Sequence, residues 1–320
     1  SGFLIENEDY FKKADVIHIH LIHGFSNFSI LSLPRISRLK PVVWTLHDKW
    51  ALTGGCEHSF ECNKWINGCN LNCPHPRSKS IFNKQAPFFH WKIKKWIYSK
   101  INLNIVVASD WMNENVKKSS LLNHLPRKII PFGIDIEKFK KKKNIDYKLI
   151  FGIPKLNKVI AFRNPGLKND KFKGMKWLKK SLDLYEPDTP ITLLIFEKLE
   201  GFEHLTKKYH VINLGWIDGE KLIQALCAAD IFLMPSIQES FGLMAVEAMA
   251  CETPVIVFDK TALPGVIKGG GLSVEYKNSE KLKEAIQLLL DDSKLRRKIS
   301  QDARILVEQK YNYSLYINRH

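Results

Sequence analysis

DIFLMPSIQESFGLMAVEAMACETPVIVFD (Asp230–Asp259) is the stretch whose reading decides the fold. Asp230 to Pro235 is a short apolar run and Ser236 to Ser240 is polar. Phe241 to Ala250 carries helix formers with apolar positions at helical spacing, and Pro254 opens a second apolar, β-branched run, Val255 to Phe258. Strand, loop, helix and strand in that order point a loop and a helix N-terminus out of the carboxyl edge of a parallel sheet, where α/β folds bind ligands. The unbonded N–H groups of a helix start, with the positive end of its dipole, suit a phosphate. Gly242 lets a ligand approach the backbone closely. Glu239 lies on the loop, and Glu247 just over two turns into the helix. Two carboxylates around a phosphate site make sense if they bind hydroxyl groups. A sugar nucleotide brings both chemistries: a diphosphate, a ribose and a hexose.

With its flanks, PSIQESFGLMAVEAMACETPVIVF (Pro235–Phe258) resembles the E-x7-E signature of the retaining family-4 glycosyltransferases of GT-B fold. The resemblance implies that Glu239 contacts the donor sugar and that Glu247 binds the ribose hydroxyls. It assigns the diphosphate to the backbone of Ser240, Phe241, Gly242 and Leu243. Glu252 departs from the pattern, standing where the family commonly has glycine before Thr-Pro. A bare E-x7-E would also describe two solvated glutamates on a surface helix; the flanking PS, FGL, EAMA and TPVIV set this one apart.

Composition sets outer limits. A chain of 320 residues, 45% hydrophobic, has room for two domains with real cores. No apolar run approaches the ~20 residues of a membrane span, and SGFLIENEDYFKK (Ser1–Lys13) has no signal-peptide core. A cytoplasmic enzyme is the expectation, and in that setting six cysteines argue against a disulfide framework. The net charge of +16 implies an anionic partner: nucleic acid, an anionic membrane surface or a phosphorylated substrate.

In the first half, DVIHIH (Asp15–His20) reads as a buried parallel strand followed by His23 and Gly24, and PVVWTL (Pro41–Leu46) as the next strand, ending at His47 and Asp48. Both segments resemble the same family, which places a His at the end of the second strand, facing the donor sugar across the cleft. His47 is assigned that role, with Asp48 beside it, whereas His18 is read as a packed or hydrogen-bonded strand residue. CEHSFECNKWINGCNLNC (Cys56–Cys73) is C-x5-C-x6-C-x3-C in a loop over 54–76. Four soft thiolates suit tetrahedral zinc, or less often an iron–sulfur cluster. Cys56, Cys62, Cys69 and Cys73 are therefore candidate structural zinc ligands, with His58 or His75 able to replace one; four packed, reduced thiols are the alternative. A subgroup of bacterial polysaccharide enzymes of colanic-acid, capsule and lipopolysaccharide type has a similar cysteine pattern. FNKQAPFFHWKIKKWIYSKI (Phe82–Ile101) is aromatic and basic together. Phe88, Trp91, Ile93, Trp96, Ile97 and Ile101 approximate one helical face, with Lys92, Lys94, Lys95 and Lys100 elsewhere or on its flanks, a composition suited to an anionic membrane interface. NIVVAS (Asn104–Ser109) and KIIPFGI (Lys128–Ile134) complete the first set of strands, and Asp135 either lines the cleft or caps a turn.

The second half opens with VIAF (Val159–Phe162) and RNPGLKNDKFKG (Arg163–Gly174). The family resemblance puts Arg163 and Lys173 on the donor diphosphate, while Lys168 and Lys171 read as solvated loop cations. Two cations and a helix N-terminus can replace a divalent metal, so no cofactor is expected for the chemistry. No nucleophile is assigned; the family is usually described by front-face attack, in which the leaving phosphate takes the acceptor proton. Trp216 to Asp218 is placed beside the nucleobase.

These readings give two Rossmann-like domains of GT-B type facing a cleft: residues 1–143 on the acceptor side, 144–303 for the nucleotide sugar, and a C-terminal helix over 304–320 crossing back to brace the first. The resemblance implies transfer of a hexosyl group from a UDP- or GDP-sugar to a saccharide or lipid-linked saccharide, at the inner face of the cytoplasmic membrane. In the family a strand, glycine loop and helix normally stand ahead of the Asp15 strand, and fourteen residues precede Asp15 here. The rival readings are a nucleotide-sugar-binding protein without turnover and a zinc-containing nucleic-acid-binding protein. Scattered lysines and the absence of a basic recognition helix argue against nucleic acid.

Overall fold

The computed structural model describes residues 2–23, 28–74, 81–166, 170 and 172–320, with backbone alone for 2–4 and 81–84. Gly24, His75, Lys168 and Lys171, and the sequence assignments made for them, lie outside the described residues. The chain divides into two units, residues 1–130 and 131–320.

The first unit holds a four-stranded parallel sheet in sequential order: β1 (Ile17–Ile19), β2 (Val42–Leu46), β3 (Asn104–Val107) and β4 (Arg127–Ile129). Apolar side chains on both faces explain the near-continuous hydrophobic runs of β2 and β3. Trp44, Leu46, Ile105 and Val107 are buried among Leu33, Ile36, Ile97, Tyr98, Met112 and Val116. Helices Leu33–Leu39, Ile81–Tyr98 and Asp110–Lys118 connect the strands. Ser109 caps the third of these, its hydroxyl accepting from Met112 N–H at 3.2 Å.

The Ile81–Tyr98 helix corrects the face assigned to it. Trp91, Lys94, Ile97 and Tyr98 point inward, while Phe89, Ile93 and Trp96 are exposed beside Lys92, Lys95 and Lys100. Lys94 is only 2% exposed; it donates to the carbonyls of Trp50 and Thr53, and its ammonium lies 3.4 Å from the Trp50 ring centroid. A buried ammonium needs such partners, and they come from a loop distant in sequence.

The second unit is a six-stranded parallel sheet ordered β10-β9-β8-β5-β6-β7, with β5 (Lys158–Asn164), β6 (Ile191–Glu197), β7 (His210–Gly215), β8 (Ile231–Met234), β9 (Val255–Phe258) and β10 (Gly271–Val274). The chain builds outward from β5 to β7, then returns to lay β8 on the other side of β5. That order has the doubly wound, Rossmann arrangement, and its reversal falls between β5 and β8, where such sheets bind ligands. The deciding stretch folds as read: β8, a loop, the Leu243–Ala250 helix and β9. Glu252, the departure from the family pattern, has φ +59°. That left-handed conformation favours glycine, which accounts for the residue usually found there.

Two boundaries differ from the sequence reading. β4 ends at Ile129 rather than continuing to Ile134, because Pro131 has no N–H for a ladder. The following segment is instead held by the tail: Ile134 N–H donates to Tyr311 O at 2.8 Å and Tyr313 N–H to Ile134 O at 2.9 Å. The division of the chain therefore falls before Pro131, ahead of the lysine run, and the tail expected to brace the first domain groups with the second unit. Asp135 caps a turn, accepting from the N–H groups of Glu137 and Lys138.

Candidate functional site

At the carboxyl ends of β5 and β8 a pocket opens in the second unit. Its lining includes Arg163, Phe172, Lys173, Ser236, Glu239 and Leu243. β5 delivers Arg163 and β8 leads into the loop that carries Ser236 and Glu239. That loop is pinned by Phe172, whose carbonyl accepts from Ile237 N–H and Gln238 N–H.

Each cation in the pocket holds a carboxylate. Lys173 Nζ donates to Glu239 Oε2 at 2.8 Å, and Arg163 Nη2 to Glu197 Oε1 at 2.7 Å. The Arg163 guanidinium also lies 4.8 Å from the centroid of the Trp216 ring, placing the aromatic assigned to the nucleobase next to the cation assigned to the diphosphate. Glu247 stands within electrostatic reach of Arg163; burial pushes its carboxyl up to about 7, against the pull of that guanidinium. Arg163, Lys173 and Glu239 thus line one pocket, and Glu247 lies within electrostatic reach of Arg163.

The backbone between the glutamates is less uniform than expected. Gly242 has φ +97° and a Cβ there would meet Leu263 Cδ2 at 2.4 Å, so the turn into the helix requires glycine. Phe241 is 2% exposed, packed edge-on against Phe132 and Tyr311, so its ring is not available to a ligand. The start of the Met175–Leu184 helix is already occupied: Asp170 accepts from the N–H groups of Lys173, Gly174 and Met175 at 2.6–3.2 Å. That corrects the expectation that this helix N-terminus faces a phosphate.

Sequence reasoning missed three residues. Asp170 was legible as an Asp shortly before a helix start. Glu197 had no local signal, since its partner lies on the neighbouring strand. Ser236 is 1% exposed and lines the pocket, and its hydroxyl has no hydrogen-bond partner among the described residues. A buried hydroxyl left in that state is costly, and a polar ligand group would satisfy it.

The first unit carries a second polar cluster, at the carboxyl ends of β1 and β2. His20 Nδ1 and His47 Nε2 are 2.9 Å apart. Burial lowers the His47 pKa, with His20 and His23 adding to the effect. Asp48 accepts from Trp50 N–H at 2.7 Å and lies 3.0 Å from His23 Nε2; burial raises its pKa. His18 bonds Thr45 Oγ1 at 2.8 Å, the hydrogen-bonded strand role read for it.

Also in the first unit, Cys56, Cys62, Cys69 and Cys73 all line one small cavity. Gly54 N–H donates to Cys69 Sγ at 3.2 Å. As they stand, no three His, Cys, Asp or Glu side chains among the described residues meet closely enough to hold a metal ion.

Residues 173–305 match the family model described as glycosyl transferases group 1. An uncharacterized 41.2 kDa protein of the Klebsiella pneumoniae cps region is 40% identical over 117 residues, 36% of this chain and 33% of that protein. The D-inositol 3-phosphate glycosyltransferase of Corynebacterium glutamicum is 32% identical over 168 residues, 48% of this chain and 40% of that enzyme. The matches therefore span less than half the length of these curated relatives. Among solved structures, Anabaena HepE in complex with UDP and glucose superposes with a TM-score of 0.68 at 17% identity, over 99% of this chain and 81% of that one. The chain thus has the GT-B fold of two Rossmann-like units, and its residues 173–305 carry the sequence pattern of the glycosyl transferases group 1.

Proposed function

We propose that the protein transfers a hexosyl group from a nucleotide sugar, UDP- or GDP-linked, to a saccharide or lipid-linked saccharide in bacterial surface-polysaccharide assembly, with retention of anomeric configuration. The observation that carries this reading is the pocket at the β5/β8 switch point, lined by Arg163, Lys173, Glu239 and the unsatisfied hydroxyl of Ser236. The group 1 match over that unit, the cps-region relative and the UDP named with HepE support it. In this reading Arg163 and Lys173 take the diphosphate and stabilise the leaving charge. Glu247 binds the ribose, and Glu239 holds the transferred sugar. His47 and Asp48 act on the donor sugar from the first unit, and no metal enters the chemistry.

Calorimetry with nucleotides and nucleotide sugars tests this. Glu247→Ala is expected to weaken nucleotide binding by ~1.5–3 kcal/mol, the range for a hydrogen bond to a charged group, with the fold intact by circular dichroism. The pH dependence follows from the carboxyl held at about 7. Below that pH it is neutral; above it, it is a carboxylate, the better acceptor for ribose hydroxyls. Affinity should therefore rise from pH 6 to 8 in the parent and rise less in Glu247→Gln, which controls for ionisation of the nucleotide itself. The same shift acts oppositely on stability: the folded state binds the proton more tightly than the unfolded chain, so stability declines as pH rises from about 4.5 to about 7. Unchanged nucleotide affinity in Glu247→Ala would sink the ribose assignment.

The same reading places the protein on the inner face of the cytoplasmic membrane. No helix among the described residues is long and apolar enough to cross a membrane. The Ile81–Tyr98 helix does expose Phe89 (53%), Ile93 (46%) and Trp96 (57%) in a stripe bordered by Lys92, Lys95 and Lys100. Aromatic and aliphatic side chains flanked by lysines suit an anionic lipid surface, each close lysine contributing ~1 kcal/mol. Sedimentation with vesicles should show binding to anionic but not neutral lipid, reversed by salt, and lost in a Lys92→Glu/Lys95→Glu/Lys100→Glu variant. Equal binding to both lipids would leave the stripe an ordinary surface.

A further inference from the structure

The geometry points to a structural zinc site in the first unit: Cys56, Cys62, Cys69 and Cys73, which line one cavity, close on a single Zn²⁺ as a tetrathiolate. The charge and hydrogen-bonding groups around the cavity suit that occupant better than four neutral thiols. Lys49 is 5% exposed. Its ammonium donates to Ser59 Oγ at 2.7 Å and lies 4.0 Å from the Trp65 ring centroid, and both partners line the thiol cavity. A buried cation favours a nearby anion, and a zinc tetrathiolate in the cavity that Ser59 and Trp65 line would supply one.

A donor without an acceptor gives a second, independent indication. Trp65 is 2% exposed, and its indole N–H has no partner among the described residues. A metal-bound thiolate is an anionic acceptor and takes such N–H groups, as Cys69 already takes the N–H of Gly54.

Binding is an exchange of protons for metal. Four S–H bonds break, four Zn–S bonds form, and four protons pass to solvent, leaving a cluster of charge −2. Lys49, whose partners Ser59 and Trp65 line the cavity, offsets part of that charge. Because no three ligands meet as they stand, the ion must draw the sulfurs inward to about 2.3 Å. The loop has turns at Gly55 and Gly68, both at positive φ, to accommodate the movement.

The experiment uses the whole chain, expressed with zinc and purified under reducing conditions without chelator. The expected result is about one zinc per chain by elemental analysis, with the four thiols reacting with a mercurial only as the ion is released. Cobalt in its place should give the intense sulfur-to-metal absorption of a tetrahedral thiolate site. A Cys69→Ser/Cys73→Ser variant should lose the metal and melt at a lower temperature. Should that variant fail to fold, protection of the parent's thiols by added zinc decides the question. Protein without zinc whose thiol reactivity is unaltered by added zinc overturns the site. Iron with acid-labile sulfide, in place of zinc, overturns the choice of ion.

Discussion

Replacing Arg163 and Lys173 together by alanine is expected to cost a nucleoside diphosphate ~3–6 kcal/mol of binding free energy, at ~1.5–3 kcal/mol for each hydrogen bond to a charged group. The bare nucleoside should lose little. The two side chains line the same pocket, and their present partners are the carboxylates Glu197 and Glu239. A diphosphate offers both cations a more highly charged acceptor. The double variant also strips both glutamates of their partners, so its folded fraction has to be checked by circular dichroism at the temperature of the titration. The measurement is the ratio of diphosphate to nucleoside affinity by calorimetry. A ratio equal to the parent's, in folded protein, would refute the diphosphate role.

Gly174→Ala is expected to destabilise the second unit by ~3–5 kcal/mol, the range that marks a specific steric mechanism. Gly174 has φ +77°, and an added Cβ would lie 2.0 Å from the carbonyl oxygen of Pro235. The left-handed conformation alone costs a non-glycine residue ~1–2 kcal/mol. The remainder comes from pushing back a backbone atom that is tied to β8 and cannot rotate aside. Gly152→Ala provides the control: its φ is +64°, but nothing lies within 4 Å of the added carbon. Urea denaturation should separate the two variants by at least ~2 kcal/mol if the contact matters beyond the dihedral. Equal losses would show that the Pro235 loop simply moves.

The contrast between these sites explains what could be read from the sequence. The β8–helix–β9 unit was legible because its signals are local: two β-branched apolar runs and a stretch of helix formers. Glu239 and Glu247 were legible because the motif fixes their spacing, and Arg163 and Lys173 because the family pattern names their positions. Lys94 was misread, since helical periodicity counts a lysine as solvated, and only the Trp50–Thr53 loop, outside any local window, shows why it is buried. Glu197 escaped for the same reason. It becomes Arg163's partner only through the parallel register of β5 and β6, which sets Asn164 opposite it. Asp170 shows another limit: the sequence announced a helix start suited to an anion, and the chain supplied the anion itself.

The pairing of Lys173 with Glu239 has a consequence for selectivity. Lys173 and Arg163 hold their own carboxylate counter-ions, so a ligand that takes the cations has to perform an exchange. An inorganic anion can displace Glu239 from the lysine, but it leaves that carboxylate with nothing to accept. A molecule bearing both a diphosphate and a nearby polyol completes the exchange, taking the cation with one end and offering hydroxyl protons to the released glutamate with the other. Under the proposed function the ion pair would act as a two-key lock, in which the anionic group and the sugar must arrive on the same molecule.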